Sequence, residues 1–184
     1  MRIAIAYHSG SGHTRRLVEI VSEALAALGA EVAGVDVEAM GEHGWQALAA
    51  ADAIVFAAPT YMGSVSAPFK AFMDASSDIW GSDAGWTDKI AAGMTVATFP
   101  SGDKLASLMQ MVVFATQHGM IWVGQDDIGA PVEPEKEGIN EDGYALGFGA
   151  TSVRDKTRMI RPGDEVTARR FAARIFHATR RWAE

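Results

Sequence analysis

Short apolar runs alternate along the chain with longer stretches whose apolar positions recur every three or four residues, the pattern of a parallel sheet covered by helices on both faces. Runs at residues 2–7, 31–37, 53–58, 90–98 and 120–123 predict five strands. After the first run, Leu17, Val21, Ala24, Leu25 and Leu28 share one helical face, Arg15, Glu19 and Glu23 form a ladder outside, and Gly29 stops the helix. A shorter, weaker helix is expected around residues 45–51. A third starts near Ser66, where serine followed by Pro68 marks an N-terminus and Phe69, Phe72 and Met73 turn inward. Residues 104–117 and about 164–182 read as the last two helices, the second carrying Val166, Ile175, Phe176 and Trp182. With no repeat or interdomain linker, the expectation is one α/β domain over residues 1–184, a doubly wound five-stranded parallel sheet with a loop insert at about 125–150. The insert lacks periodicity and carries Pro131, Pro134 and an acidic cluster; loops of that length are functional or disordered, and a solvated flap without a role is the alternative.

Five parallel strands with right-handed crossovers admit two common orders, and in both a ligand binds outside the carboxyl ends of the strands where the winding reverses. In the order 2-1-3-4-5 the reversal lies between the first and third strands. The segment after the first is Ser9-Gly10-Ser11-Gly12-His13-Thr14. Three hydroxyls and two glycines at a strand-to-helix turn offer free backbone N–H groups at the positive end of a helix dipole, where an anion is held without a lysine. The plainer reading is a polar turn with Thr14 as the N-cap. After the third strand come Pro59, Thr60, Tyr61, Met62, Gly63 and Ser64, a loop mixing an aromatic, a thioether and a glycine. Competing phosphate motifs fail: no Lys precedes a Ser/Thr as a P-loop needs, Arg15 stands where a dinucleotide fingerprint needs its third glycine, and neither Ser9 nor Ser11 is framed by glycines as in a hydrolase elbow. What fits is a monophosphate, the anionic end of FMN.

Composition narrows the chemistry. The 184 residues are 48% apolar and 21% charged, enough for a real core. There is no cysteine, so disulfides, thiolate catalysis and Cys-ligated metals are excluded and redox chemistry needs a bound cofactor. No metal site is expected. No apolar run approaches a membrane span, and the first one is too short for a signal peptide, so the expected setting is cytoplasmic, without membrane or nucleic-acid partners. The net charge of −7 hides a C-terminal stretch, residues 151–184, with 9 basic and 4 acidic side chains. That stretch is either the solvated face of the last helix or a surface for an acidic partner or a nucleotide phosphate.

The segment 9–14 resembles the phosphate loop of flavodoxins, and Pro59-Thr60-Tyr61-Met62-Gly63 is similar to the loop along their isoalloxazine ring. The resemblance extends to the tryptophan-repressor-binding-protein family of NAD(P)H:quinone oxidoreductases, which are flavodoxin-like, through Ser66-Ala67, His118-Gly119-Met120 and Phe148-Gly149-Ala150-Thr151. The chain has Tyr61 where that family usually has Arg, and only residues 98–103 where the family has a long glycine-rich loop. The resemblance implies tightly bound FMN. Ser9, Ser11, Thr14 and the amides of Gly10, Gly12 and His13 would hold the phosphate, Pro59 to Gly63 the ring near N5, and Thr98, Phe99, Pro100, Ser101 and Gly102 the N1 and C2 edge, where charge builds on reduction. Tyr61 or Met62 would pack on a ring face, a plain packing role being the alternative. His118 is a candidate near the flavin or the incoming substrate, or a helix cap. Trp80 and Trp86 read as lid or subunit-contact residues, and Tyr144, Phe148, Gly149 and Thr151 as walls of a substrate pocket, their own or a neighbour's.

Three activities follow as expectations. The first is a two-electron FMN oxidoreductase taking hydride from NAD(P)H and passing electrons to a quinone or similar small acceptor, as a homodimer or homotetramer. The second is a flavodoxin-like one-electron carrier, and the third a non-catalytic regulatory protein of the same fold.

Overall fold

A computed structural model describes residues 1–83, 85–129 and 132–184; Pro131 of the expected insert lies outside them. Four parallel strands form the body of the sheet: β1 (Arg2–Tyr7), β2 (Glu31–Asp36), β3 (Ala53–Tyr61) and, after the two-residue β4 (Ser64–Val65), β5 (Ile90–Ala97). They run β2-β1-β3-β5. The fifth position is shared by two short strands, β6 (Ile121–Trp122) beside Ile90 and Ala91, and β7 (Phe148–Thr151) beside Met94 to Ala97. The sheet is therefore the expected doubly wound one with its last strand cut in two. The insert leaves after β6 and returns at β7, so residues 148–150, expected in the loop, are strand.

Side-chain alternation explains the two layers. Ile3, Ile5, Ala53, Val55, Ala57, Ala92 and Met94 face α1 (His13–Ala27) and α5 (Pro162–Ala183), meeting Leu17, Ile20, Phe171 and Ile175. Ala4, Ala6, Ile54, Phe56, Ala58 and Ala91 face α2 (Glu42–Ala50), α3 (Ala67–Ala75) and α4 (Lys104–Gln117). Alanines dominate this second face and leave depth for the aromatic rings of Phe56, Phe69, Phe72, Trp86 and Phe114, which pack at centroid separations of 5.2 to 6.4 Å. Gly93 belongs to the same design, because a Cβ there would stand 2.6 Å from the Trp122 ring.

Several expectations change. Trp86 is fully buried in the aromatic layer, not a lid or contact residue, because the small side chains of the sheet make room for it. Trp80 is exposed and donates its indole N–H to the Gln117 carbonyl at 2.7 Å. Arg15 reaches Asp36 at 3.6 Å, while Arg16 takes Glu19 at 3.8 Å, so the expected Arg15–Glu19 rung is not made.

Candidate flavin site

The first helix is not capped by Thr14. Its N-cap is Gly12, in the left-handed region at φ 88° without a side-chain cap, and the helix begins at His13. Among the described residues the one side-chain acceptor at this end is the Ser9 hydroxyl, which takes the Arg15 N–H at 3.0 Å. Among the described residues the amides of residues 9–14 donate to no protein acceptor. Six N–H groups at the positive end of a 15-residue helix are thus left without a protein acceptor, the donor set that an anion would take. Ser9 accepts from Arg15 and still has its own O–H to give.

The opposing wall comes from β3, which runs on to Tyr61 instead of ending at residue 58. Pro59, Thr60 and Tyr61 are therefore strand, and the loop contracts to a two-residue hairpin: Thr60 pairs with Val65 and Tyr61 with Ser64. Met62 and Gly63 occupy the turn at φ 50° and 76°, both left-handed, as a type I′ hairpin demands. Glycine takes this conformation freely; Met62 takes it at a cost, with its side chain fully exposed. Thr60 turns its hydroxyl inward to Thr95 and Ser107, each at 2.8 Å, fixing the end of β3 to β5 and α4. Tyr61 leans the other way. Its phenol oxygen lies 2.5 Å from where a Cβ on Gly10 would be, so this ring spans the two loops.

A cavity of about 140 Å³ opens between these walls, lined by Ser11, His13, Thr14, Thr60, Tyr61 and Thr98 among others. Thr98 to Ser101 are exposed at its third side, and Phe99 stands free in solvent. Ser152, just past β7, joins the lining. Sequence reasoning missed it, although Thr151 had been singled out. His13 stands at the mouth. Burial lowers its pKa, and the positive charge of Lys156 lowers it further. His8, also unanticipated, is buried beneath the first loop and bonds Ser66 at 2.8 Å, tying the end of β1 to the start of α3.

His118 is not part of this cluster. Helix α4 runs antiparallel to the strands, so its C-terminus, where His118 sits, lies at the opposite edge of the sheet from the loops. There it bonds the Ser76 hydroxyl at 2.9 Å and packs against Trp86 at a centroid distance of 4.5 Å. Phe148, Gly149 and Thr151 are buried strand residues and do not line the crevice. Tyr144 does line a cleft, beside the third loop.

This geometry, an anion cradle facing a hairpin across the switch point of a flavodoxin-type sheet, meets its match in known proteins. A family model for NADPH-dependent FMN reductases matches residues 1–132. The chain belongs to that family. It is 36% identical over 179 residues to flavodoxin FldP of Pseudomonas aeruginosa, covering 95% of this chain and 94% of that one. A quinone-type NAD(P)H dehydrogenase of Archaeoglobus fulgidus is 28% identical, over 83% of this chain and 85% of the other. Among solved structures, a flavodoxin, WrbA-like protein from Agrobacterium tumefaciens superimposes with a TM-score of 0.75 at 36% identity, covering 98% of each chain. The resemblance to flavodoxin-like FMN reductases read from the sequence therefore holds, and FMN with NAD(P)H fits the family as cofactor and reductant. No helix of the described residues is long and apolar enough to cross a membrane.

Proposed function

We propose that the chain holds FMN in this crevice and uses it to move two electrons from NAD(P)H to a quinone-like small acceptor. The observation that carries this reading is the run of unpartnered amides at residues 9–14, opposite a hairpin at the switch point. The quinone-directed names among the relatives support the acceptor class.

FMN supplies the redox chemistry: an N5 that accepts hydride and a ring that stores the electron pair. The protein binds and orients. The hydroxyls of Ser9, Ser11 and Thr14 and the amides of Gly10, Gly12 and His13 hold the phosphate, each charge-assisted bond contributing roughly 1.5 to 3 kcal/mol at best. Tyr61, whose phenol reaches over Gly10, would help shield the phosphate from water. Pro59 and Thr60 would set the height of the Met62–Gly63 turn along the ring, and Thr98 to Gly102 would serve its N1 and C2 edge, with Phe99 free to cover the pyrimidine end. Hydride transfer asks for alignment rather than proton transfer, and among the described residues the titratable side chains lining the crevice are His13 and Tyr61. The exposed stripe of Leu105, Met109 and Val113 on α4 supports assembly as a homodimer or homotetramer.

The similarity to flavodoxin FldP favours a second reading, a carrier that passes single electrons between protein partners. The two separate in one assay. Purified protein reconstituted with FMN should be yellow and oxidise NAD(P)H steadily when a soluble quinone is present. Bound FMN without turnover would leave the carrier; no uptake of FMN in a calorimeter would remove both readings.

A further inference from the structure

Lys104, the first residue of α4, is fully buried. Its ammonium donates to Asp142 at 2.7 Å, to the Thr151 hydroxyl at 2.8 Å and to the carbonyls of Ala150 and Gly149 at 3.2 and 3.3 Å. Arg161 reaches the same Asp142 oxygen at 2.6 Å and bonds Asp164, which in turn accepts the Thr151 N–H at 2.7 Å. Two cations therefore meet Asp142 and Asp164 around Thr151 at the end of β7, with Arg161 also reaching the exposed Glu141 at 3.0 Å. A buried cation is costly unless every donor is met, as here, and the outcome is geometric: Asp142, in the middle of the insert, is pinned beside the start of α4.

Tyr144 sits two residues beyond that pin. Asn140 holds its backbone through both the N–H and the carbonyl, at 3.1 Å each. Its ring centroid lies 5.2 Å from the Lys104 ammonium. Its single O–H is shared between the Ser101 carbonyl at 2.8 Å and, more weakly, the Pro100 carbonyl at 3.2 Å. Burial and the nearby Asp142 and Asp103 push this phenol up to about 12, so it stays a donor at any working pH.

A carbonyl and the N–H that follows it point in opposite directions across a trans peptide plane. Holding the Pro100 and Ser101 carbonyls on the insert side therefore turns the amides of Ser101 and Gly102 away from the insert. Neither amide has a protein acceptor among the described residues. The insert side is an open cleft of about 760 Å³ lined by Pro100, Ser101 and Tyr144, whereas Ala97 at the end of β5 and Thr98 at the start of the loop line the crevice.

We propose that Tyr144 is a positioning residue: by tethering the two carbonyls it aims the Ser101 and Gly102 amides at the flavin edge that gains negative charge on reduction, and so favours reduced over oxidised FMN. This rests on the FMN reading of the crevice. The insert, on this view, is the strut that holds the third loop in register.

The test is Tyr144→Phe, which keeps the ring and removes the tether. In the FMN-loaded protein the ratio of affinities for reduced and oxidised cofactor should fall about tenfold, a two-electron midpoint about 30 mV more negative, while the affinity for oxidised FMN changes less. In the protein without cofactor, hydrogen exchange of the peptide spanning residues 98–103 should quicken. A variant that unfolds at lower temperature but keeps the wild-type midpoint and exchange pattern would reduce Tyr144 to a packing residue and overturn the proposal. If the wild type takes up no FMN, the crevice reading is what fails; unchanged exchange in residues 98–103 would still overturn the tether by itself.

Discussion

The phenol oxygen of Tyr61 occupies the space that a side chain on Gly10 would need, 2.5 Å from an ideal Cβ, whereas the nearest ring carbons are 3.4 Å away. A methyl at Gly10 would therefore push aside the tip of the half-exposed Tyr61 ring. Gly10→Ala should weaken FMN binding by about tenfold or more, and the loss should shrink in a Tyr61→Phe background. Titration calorimetry of the four proteins would reveal a coupling of roughly 0.5 to 3 kcal/mol, the range for groups in contact. Additive losses would mean the contact is not made in solution.

His13 gives the binding a pH dependence of predictable sign. Burial and Lys156 hold its pKa below 6.5, so it enters the complex mostly neutral at pH 7. A docked phosphate dianion favours the protonated form, so binding takes up a proton and affinity rises as pH falls from 7, by at most about tenfold per unit for one site. The phosphate's own second ionisation near pH 6 opposes the trend. His13→Gln isolates the effect, since the difference between variant and wild type should vanish at high pH and grow toward pH 6.

The doubly wound sheet and its anion turn are legible in the sequence because their signals are local. A strand buried on both faces, such as β5, tolerates no charge, and a Ser/Gly turn between strand and helix exposes its amides wherever the rest of the chain goes. What is decided at a distance is not legible. Trp86 lies in a polar stretch that reads as surface; its burial is set by Ala4, Ala6, Ala58 and Ala91, residues that carry no mark of the ring they accommodate. Lys104, Asp142 and Arg161 are 38 and 19 residues apart and follow no period, so their convergence on Thr151 is visible only once β7 is in place. His118 could have been placed from topology alone: a helix that returns antiparallel to the sheet ends at the edge away from the ligand loops.

That placement makes His118 a stability residue. Burial lowers its pKa below the ordinary value of 6.5. The unfolded chain therefore binds a proton at pH values where the folded protein does not, and stability, complete above about pH 6.5, is lost as the pH drops toward the folded value. The slope from this residue is at most about 1.4 kcal/mol per pH unit. Urea denaturation at pH 7.5 and 5.5 should show a steeper decline for the wild type than for His118→Asn, while FMN affinity is the same in both. An equal decline would assign the pH dependence to other groups, and a loss of FMN binding would contradict the placement of His118 at the far edge.

The outer face of α4 carries a run of exposed apolar side chains. Leu105, Met109 and Val113 recur every four residues, each about half exposed, and Met73 of α3 continues the patch at the base of a groove shared with Lys70 and Gln110. Three large side chains on one helical face exceed the scattered exposure normal for a surface, and burying them against a second copy would remove the most apolar part of this face from water. Val113→Glu places a charge at the centre of the stripe without touching the sheet. If this face joins two copies, light scattering after size exclusion should give the mass of a dimer or tetramer for the wild type and a smaller assembly for the variant, with FMN affinity unchanged where the crevice lies within one chain. A variant of undiminished mass would move the interface elsewhere, and a wild type already at 19.6 kDa would dismiss it.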